Sequence, residues 1–379
     1  MKCVATCAFG VETALKNEMK EAGFVIERSD NGKVYFDTDL AGMIEANMAL
    51  RTADRIFIVL GAAIVKTFDA LFAAVKQWDL HRYLEPTGRF LIQAKSVKST
   101  LYSLRDIQSI GKKALIENLK TATGQAIFPE TGAPHPLLFN LVNDQVELWL
   151  DTSGEALHKR GYRLKQGEAP IKETLAAALV LLSFYQSGRP LYDPFCGAGT
   201  LVIEAAMLAK KMAPNLNRTF AFDAYSFVDQ TVRKRVRVAL LKRIDQTVTP
   251  HIHASDIDRH IVEAAMHNAE AAGVDDIIHF QVSDYKLRAY DAPFGLILTN
   301  PPYGERLDTT DEAEKLYQGL AARYHQLTTY SLFMITAYPG IEGIFRKQAN
   351  RTRVFFNGNI KARYYQFHGP KAPAAPEKS

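Results

Sequence analysis

The sequence predicts an α/β protein: a mostly parallel sheet in the C-terminal part, finished by an antiparallel hairpin, behind a smaller α+β module. Three observations carry this. From about residue 164 onward, short continuous apolar runs alternate with helical patterns, the texture of strands buried on both faces and covered by crossover helices. Each run stops at a polar or glycine-rich turn, and open α/β sheets place their ligands at those carboxyl ends. Before residue 164 the strands mix with amphipathic helices, which suits a compact sheet with helices on one side.

At 379 residues the chain exceeds the size at which one core keeps growing, so two or three domains are expected. Its 47% hydrophobic and 23% charged residues are an ordinary globular composition. A net charge of +5 permits a polyanionic partner without demanding one. Met1 to Gly10 lacks a long apolar core and soon meets Glu12, Lys16 and Glu18, unlike a signal peptide. The best apolar stretch, Leu175 to Tyr185, falls short of the roughly 20 residues of a membrane helix. A cytoplasmic protein with no membrane partner is expected. Three cysteines make no disulfide framework, and Cys3 and Cys7 lack a second Cys/His pair with ligand spacing, so no metal is expected.

Taken in order, Val4–Ala8 reads as a strand, Val11–Ala22 as a helix, Lys33–Phe36 as a strand, Leu40–Asn47 as a helix and Arg55–Ala62 as a strand. A helix at Phe68–Gln77 and a strand at Arg89–Lys95 follow. The Ser/Thr-rich loop from Ser96 leads into a helix that runs to Leu119. This stretch gathers Lys95, Lys98, Arg105, Lys112 and Lys113, and hydroxyls beside paired lysines suit phosphate oxygens. A solvated helix face with capping hydroxyls is the plainer explanation of the same residues. Residues 129–136 read as loop, and 139–151 as a hairpin turning at Asn143-Asp144. A basic, glycine-punctuated connector, Leu157 to Gly167, carries Lys159, Arg160 and Arg163 and marks the clearest boundary.

Beyond it, strands are expected at 191–193, 251–254, 277–282, 294–299 and 332–336, with 354–357 and 363–367 as the closing hairpin. The tail 369–379, rich in Pro, Ala and Lys, reads as disordered. An insertion from Ala213 to Pro250 carries a cationic helix at Arg233 to Arg243, read first as a solvated face and second as an RNA contact.

The chemistry gathers at strand ends. Asp193-Pro-Phe-Cys-Gly-Ala-Gly-Thr200 is a strand, a glycine turn and a helix start, and Gly197 and Gly199 allow close approach of a ligand to the backbone. A dinucleotide fingerprint would continue to a third glycine, yet Val202 stands there, and the acid of the next strand end, Asp256, comes after the insertion. Asp193 ahead of the glycines suits a cationic amine better than a pyrophosphate. These features favour S-adenosylmethionine over NAD. Asp193 would act at the methionine end, Asp256 would accept from ribose hydroxyls, Ile257 would pack on adenine and Asp284 would accept from the adenine amine. Asn300-Pro-Pro-Tyr303 ends the next core strand, where two prolines stop the ladder.

The Asp193–Thr200, Ser255-Asp-Ile-Asp258 and Asn300–Gly304 stretches resemble those of amino methyltransferases. The Ser96–Leu119 segment and Leu157–Arg163 resemble the THUMP-containing branch that makes N2-methylguanosine in 23S ribosomal RNA. The resemblance spans Cys3 to Phe367. It implies a ferredoxin-like part over 1–65, a THUMP RNA-binding domain over 66–163 and a Rossmann-like methyltransferase domain over 164–368. It also implies that Pro194, Cys196, Gly197, Gly199 and Thr200 line the S-adenosylmethionine site, with Pro170 and Glu173 beside it. Asn300, Pro301, Pro302 and Tyr303 would be catalytic. Lys95, Lys98, Arg105, Lys112, Lys113, Lys159, Arg160 and Arg163 would meet RNA.

An exocyclic base amine is a poor nucleophile because its lone pair is delocalised into the ring. Acceptors at the Asn300 side chain and the Pro301 carbonyl would localise it, and Tyr303 would stack on an extruded base. A tRNA guanine-N2 methyltransferase, a DNA adenine-N6 methyltransferase and a non-catalytic RNA-binding factor are the rival readings.

Overall fold

The computed structural model describes residues 1–163, 171–249, 251–303, 310–358 and 360–371. The chain divides into two compact units: residues 1–7, 16–157 and 215–240 form one, and residues 8–15, 158–214 and 241–379 the other.

The first unit is built on β1 (Lys2–Thr6), β2 (Val25–Asp30), β3 (Lys33–Asp37), β4 (Arg55–Ile64), β5 (Arg89–Val97), β6 (Pro134–Val142) and β7 (Gln145–Asp151). These make one sheet in the order β2-β3-β1-β4-β7-β6-β5, antiparallel throughout except for the parallel β5–β6 pair. The two N-terminal modules implied by the sequence therefore share a sheet, joined where β4 pairs with β7. Its helices are α2 (Leu40–Ala49), α3 (Phe68–Gln77), α4 (Leu104–Thr123) and α1 (Glu12–Glu21) from Lys16 onward. Asp39 caps α2 through the Gly42 amide and Thr67 caps α3 through the Ala70 amide, each satisfying an amide that the helix itself leaves open.

Asn143 and Asp144 both take positive φ, +51° and +63°, the conformation a two-residue hairpin turn requires. Two expectations change here. Strand β2 was not legible, because its Val-Ile-Glu-Arg-Ser-Asp is an edge strand with no buried position. Residues 134–136, expected in a loop, belong to β6; Pro134 opens the strand, where a missing amide is tolerated.

The second unit carries α5 (Glu173–Leu182), β8 (Leu191–Asp193), α6 (Thr200–Ala209), β9 (Ile252–Asp256), α8 (Arg259–Ala272), β10 (Ile278–Val282), β11 (Leu296–Thr299), α9 (Thr310–Gln326), β12 (Ser331–Thr336), α10 (Ile341–Ile344), β13 (Arg351–Asn357) and β14 (Ile360–Phe367). The strand order is β10-β9-β8-β11-β12-β14-β13. All neighbours are parallel except β14, which runs antiparallel to both β12 and β13. The chain winds outward from β8 to β10, then returns to the other side of β8 at β11. That reversal creates the crevice in which doubly wound sheets bind ligands.

Burial explains the apolar runs. Every residue of β8, β11 and β12 is buried, so none can alternate with polar partners. Helix α5, nearly apolar all round, is the core helix that packs on α6. No helix among the described residues is long and apolar enough to cross a membrane.

The cationic helix of the insertion is α7 (Gln230–Lys242), most of it in the first unit. Arg233 bonds Asp223, and Arg237 donates to the Leu216 carbonyl at 3.1 Å, so two of its cations are structural.

Candidate active site at the sheet switch point

Four strand ends meet in a chain of hydrogen bonds. Thr299 Oγ1, the last residue of β11, donates to Asp193 Oδ1 at the end of β8 at 2.6 Å. Asp193 also accepts from the Phe195 amide at 3.2 Å, which holds the turn that follows it. The Gly197 amide donates to Asp256 Oδ2 at the end of β9 at 3.2 Å. The Ser283 amide, just past β10, donates to the Asp256 carbonyl at 2.9 Å. Asp193, Asp256, Asp284 and Asn300 thus share one edge of one sheet.

The glycine turn is shaped by two different demands. Gly199 sits at φ +83°, and a Cβ there would lie 3.2 Å from the Ala265 Cβ of α8, so this glycine lets α6 and α8 pack closely. Gly197 also takes positive φ, +52°, but a Cβ there would meet nothing within 4 Å, so its face is open to a ligand. The turn is pinned by the Cys196 amide on the Ser255 carbonyl at 2.9 Å and by Asn268 Nδ2 on the Ala198 carbonyl at 3.1 Å. Pro194, which follows Asp193 into the turn, is buried.

The electrostatics ask for a cation. Asp193 is 1% exposed, and burial pushes its carboxyl up to about 7, with the nearby Asp256 charge adding to the push. Burial also raises Asp256. Burial raises the Cys196 thiol well above its usual range, with Asp193 and Asp256 adding to the rise, so it is a packed thiol and no nucleophile. A positively charged ligand would relieve both carboxylates. Asp258 does a different job: its side chain caps α8 through the His260 and Ile261 amides.

At the outer end of the crevice Ile257 is 71% exposed, an apolar surface open to a flat ring. Asp284 accepts from the Lys286 amide at 2.9 Å.

The Asn300-Pro-Pro-Tyr303 turn carries the sharpest anomaly. Asn300 Oδ1 is buried and has no hydrogen-bond partner among the described residues. A buried carbonyl left unpaired costs about 1–3 kcal/mol, and such atoms mark sites where a partner is meant to arrive. Tyr317 from α9 fixes the turn: its hydroxyl donates to the Pro302 carbonyl at 3.2 Å and lies 2.6 Å from Thr336 Oγ1 at the end of β12. Pro301 is buried and Tyr303 is 8% exposed. Neither the Thr299–Asp193 bond nor the role of Tyr317 could be read from sequence, since both join residues distant in the chain.

The residues expected to meet RNA separate into two groups. Arg105, Lys112 and Lys113 line a cleft of about 920 Å³ between β5 and α4, together with Phe90, Gln93 and Lys120. Lys113 and Arg105 are exposed, while Lys112 is held by Glu130 at 2.7 Å. Lys95, Lys98 and Lys159 are exposed outside that cleft.

The connector arginines turn inward, which corrects their expected place at the RNA surface. The Arg160 side chain is 1% exposed and its Nε lies 3.4 Å from Glu204 Oε1, which also accepts from the Tyr162 hydroxyl at 3.2 Å. Arg163 Nη2 donates to the Ile171 carbonyl at 2.8 Å and to Thr200 Oγ1 at 3.0 Å, and lies 3.3 Å from Glu173. A buried acid demands such a partner, so basic residues beside core glutamates are drawn in. Arg163 thereby ties Glu173, at the start of α5, to Thr200, at the start of α6. Pro170 lies outside the described residues. Among the described residues no group of three or more His, Cys, Asp and Glu could hold a metal ion.

Comparison with known proteins agrees with this architecture. Residues 160–366 match the family described as RMKL-like, methyltransferase domain; residues 2–57 match the RlmL ferredoxin-like domain and 65–151 the THUMP domain. A protein of Bacillus subtilis (strain 168) named "Putative RNA methyltransferase YpsC" is 40% identical over 372 residues, covering 98% of this chain and 96% of that one. A solved structure from Listeria monocytogenes, described as a predicted N6-adenine-specific DNA methylase, shares 38% identity at a TM-score of 0.92, covering 97% of this chain and 96% of that one. A solved structure described as "SMU.472, a putative methyltransferase complexed with SAH" shares 36% identity at a TM-score of 0.92, covering 98% of this chain and 99% of that one. The chain belongs to the RMKL-like methyltransferase family, with an RlmL ferredoxin-like domain and a THUMP domain ahead of its methyltransferase domain.

Proposed function

We propose that the protein transfers a methyl group from S-adenosylmethionine to the exocyclic N2 amine of a guanosine in RNA, with 23S ribosomal RNA as the favoured substrate. The observation that carries the amine assignment is the buried Asn300 Oδ1 at the carboxyl end of β11, next to the switch point, which has no hydrogen-bond partner among the described residues. An amine brings the N–H donors that this acceptor lacks. A hydroxyl substrate would bring one donor, while an amine brings two, and the Pro301 carbonyl would be the second acceptor.

The crevice fits the cofactor on three counts. Two raised carboxylates favour a cation, Gly197 leaves an open cradle, and Ile257 offers an apolar surface to a flat base. Asp193 and Asp256 would hold it, with Asp284 and Glu173 at its two ends. When bound, S-adenosylmethionine supplies an electrophilic methyl group. The protein's own work is orientation: Asn300 and Pro301 draw the amine hydrogens aside, so the nitrogen lone pair leaves the ring plane and points along one line. Tyr317 and the two prolines keep those acceptors from moving. Tyr303 would stack on the base, which must leave any helix to reach this depth. The THUMP cleft with Arg105 and Lys113 would hold the phosphate backbone, which positions without reading sequence.

As working boundaries we take 1–65 as the ferredoxin-like part, 66–163 as the RNA-presenting domain and 164–368 as the catalytic domain, with 369–379 as a tail. The RNA assignment draws on the THUMP match and on the name of the Bacillus relative. Incubation of the purified protein with isotope-labelled S-adenosylmethionine and unmodified ribosomal RNA, followed by nucleoside digestion, tests the proposal. Label in N2-methylguanosine supports it; label in N6-methyladenosine would transfer the site to the adenine reading.

A further inference from the structure

The methyltransferase unit carries a second cationic surface, on its closing hairpin. Between Glu342 and Glu377 the sequence holds seven lysines and arginines and no acidic residue. Strands β13 and β14 carry Arg351, Arg353, Lys361 and Arg363, and no carboxylate exists within the hairpin to neutralise them. The register pairs Phe356 with Lys361 and Val354 with Arg363, so aromatic and cationic side chains share one face. Lys361 and Arg363 are exposed, and Phe356 is 39% exposed.

A residue from the far end of the chain completes the surface. Phe9, 54% exposed, belongs to the same compact unit and meets the Phe356 ring edge-on at 6.1 Å. Gly10 makes this possible: it sits at φ +90°, and a Cβ there would lie 2.6 Å from the Val354 carbonyl, so only glycine lets this turn lie so close to β13. Two large aromatic rings are held edge to face, each with part of its surface in water. A soluble protein keeps such a patch where something binds.

Its place in the sheet says what. Arg363 pairs with Thr336 at the carboxyl end of β12, and Thr336 is bonded to Tyr317, which holds the Pro302 carbonyl. The face therefore begins two strands beyond the Asn300 turn, on the same edge of the sheet.

We propose that this face binds the RNA strand flanking the target nucleotide, with Lys361 and Arg363 on phosphates and Phe9 and Phe356 stacked on an unpaired neighbouring base. The inference rests on the reading of the substrate as RNA. Exposed aromatics interleaved with cations are the means by which single strands are gripped without regard to sequence, because every base has a π-face. Extruding one base strips its neighbours of stacking, and an aromatic platform beside the pocket restores it. A protein partner would be expected to meet balanced charges around an apolar core; an acid-free surface matches a polyanion.

The test uses the full chain and three double variants: Phe9→Ala with Phe356→Ala, Phe9→Trp with Phe356→Trp, and Lys361→Ala with Arg363→Ala. Binding of a fluorescein-labelled single-stranded oligoribonucleotide is titrated over a range of salt, and cofactor affinity by calorimetry controls for folding. The cationic variant should lower the slope of log affinity against log salt by about 1.4, roughly 0.7 for each single-strand phosphate lost. The double alanine should weaken binding about tenfold with the slope unchanged, as the loss of one base stack requires, and the double tryptophan should restore it. Variants that bind the probe as the wild type does would overturn the proposal while leaving the RNA reading intact. So would variants that alter only self-association, since the patch would then be an interface between copies. A wild-type protein that neither binds the probe nor methylates ribosomal RNA would overturn the substrate reading, and this proposal with it.

Discussion

Replacing Asn300 with alanine separates catalysis from stability, because the structure predicts opposite effects on the two. The buried Oδ1 has no partner among the described residues, and leaving such an atom unsatisfied costs about 1–3 kcal/mol. Deleting it removes that cost, and the loss of side-chain packing offsets only part of the gain. The variant should be as stable as the wild type or more so, by up to about 1 kcal/mol. Turnover should move the other way. Loss of one preorganised hydrogen-bonding group at a reacting centre costs about 10²–10³ in kcat, or roughly 2.7–4 kcal/mol. Ligand-free melting curves and single-turnover methyl transfer at saturating RNA and cofactor measure both, with RNA affinity as a control. A kcat within threefold of wild type would refute the amine-orienting role. A large fall in melting temperature together with lost activity would show that Asn300 is structural.

The same logic yields a pH signature. Burial raises Asp193 to about 7, so it contributes stability that is present in full below its ordinary value of 3.8 and is lost as pH rises through 7. The interval corresponds to at most on the order of 4 kcal/mol. Asp193→Asn should therefore gain on the wild type in melting temperature between about pH 4 and 8 while losing cofactor affinity; a pH-independent difference would reject the buried-charge account. Arg160→Met leaves Glu204 buried without its cation and should destabilise the protein by about 3–5 kcal/mol, with RNA affinity unchanged in the folded fraction. A weaker RNA complex without lost stability would return Arg160 to the surface. Lys113→Ala should lower the salt slope of RNA binding by about 0.7–0.9, whereas Lys112→Ala, whose ammonium is engaged by Glu130, should lower it less. Wild-type slopes in both variants would remove the α4 cleft from the interface.

What the sequence disclosed was whatever depends on local pattern. Strand β8 falls where its apolar run does, and α3 spans the residues its periodicity marks, because burial on both faces and helical spacing are written along the chain. The glycine turn and Asn300-Pro-Pro-Tyr303 were visible for the same reason: backbone conformation and ladder-stopping residues are local demands. Direction of a side chain is not. Arg160 and Arg163 read as a surface patch because they sit in a polar connector, yet buried glutamates on α6 and α5 draw them inward. Strand β2 escaped notice because an edge strand needs no apolar alternation. The pairing of Phe9 with Phe356 joins residues at opposite ends of the chain, which no window of sequence can show.

The central claim is that the methyl group goes to N2 of guanosine in RNA. Quantitative mass spectrometry of nucleosides from purified 23S ribosomal RNA and from transfer RNA, in the parent strain, in a strain with this gene deleted and in the deletion strain complemented, tests it most directly. Loss of one N2-methylguanosine from 23S ribosomal RNA, restored by the intact gene and not by the Asn300→Ala variant, is the result predicted. Undiminished N2-methylguanosine in both RNAs, or a deficit confined to N6-methyladenosine, would contradict it.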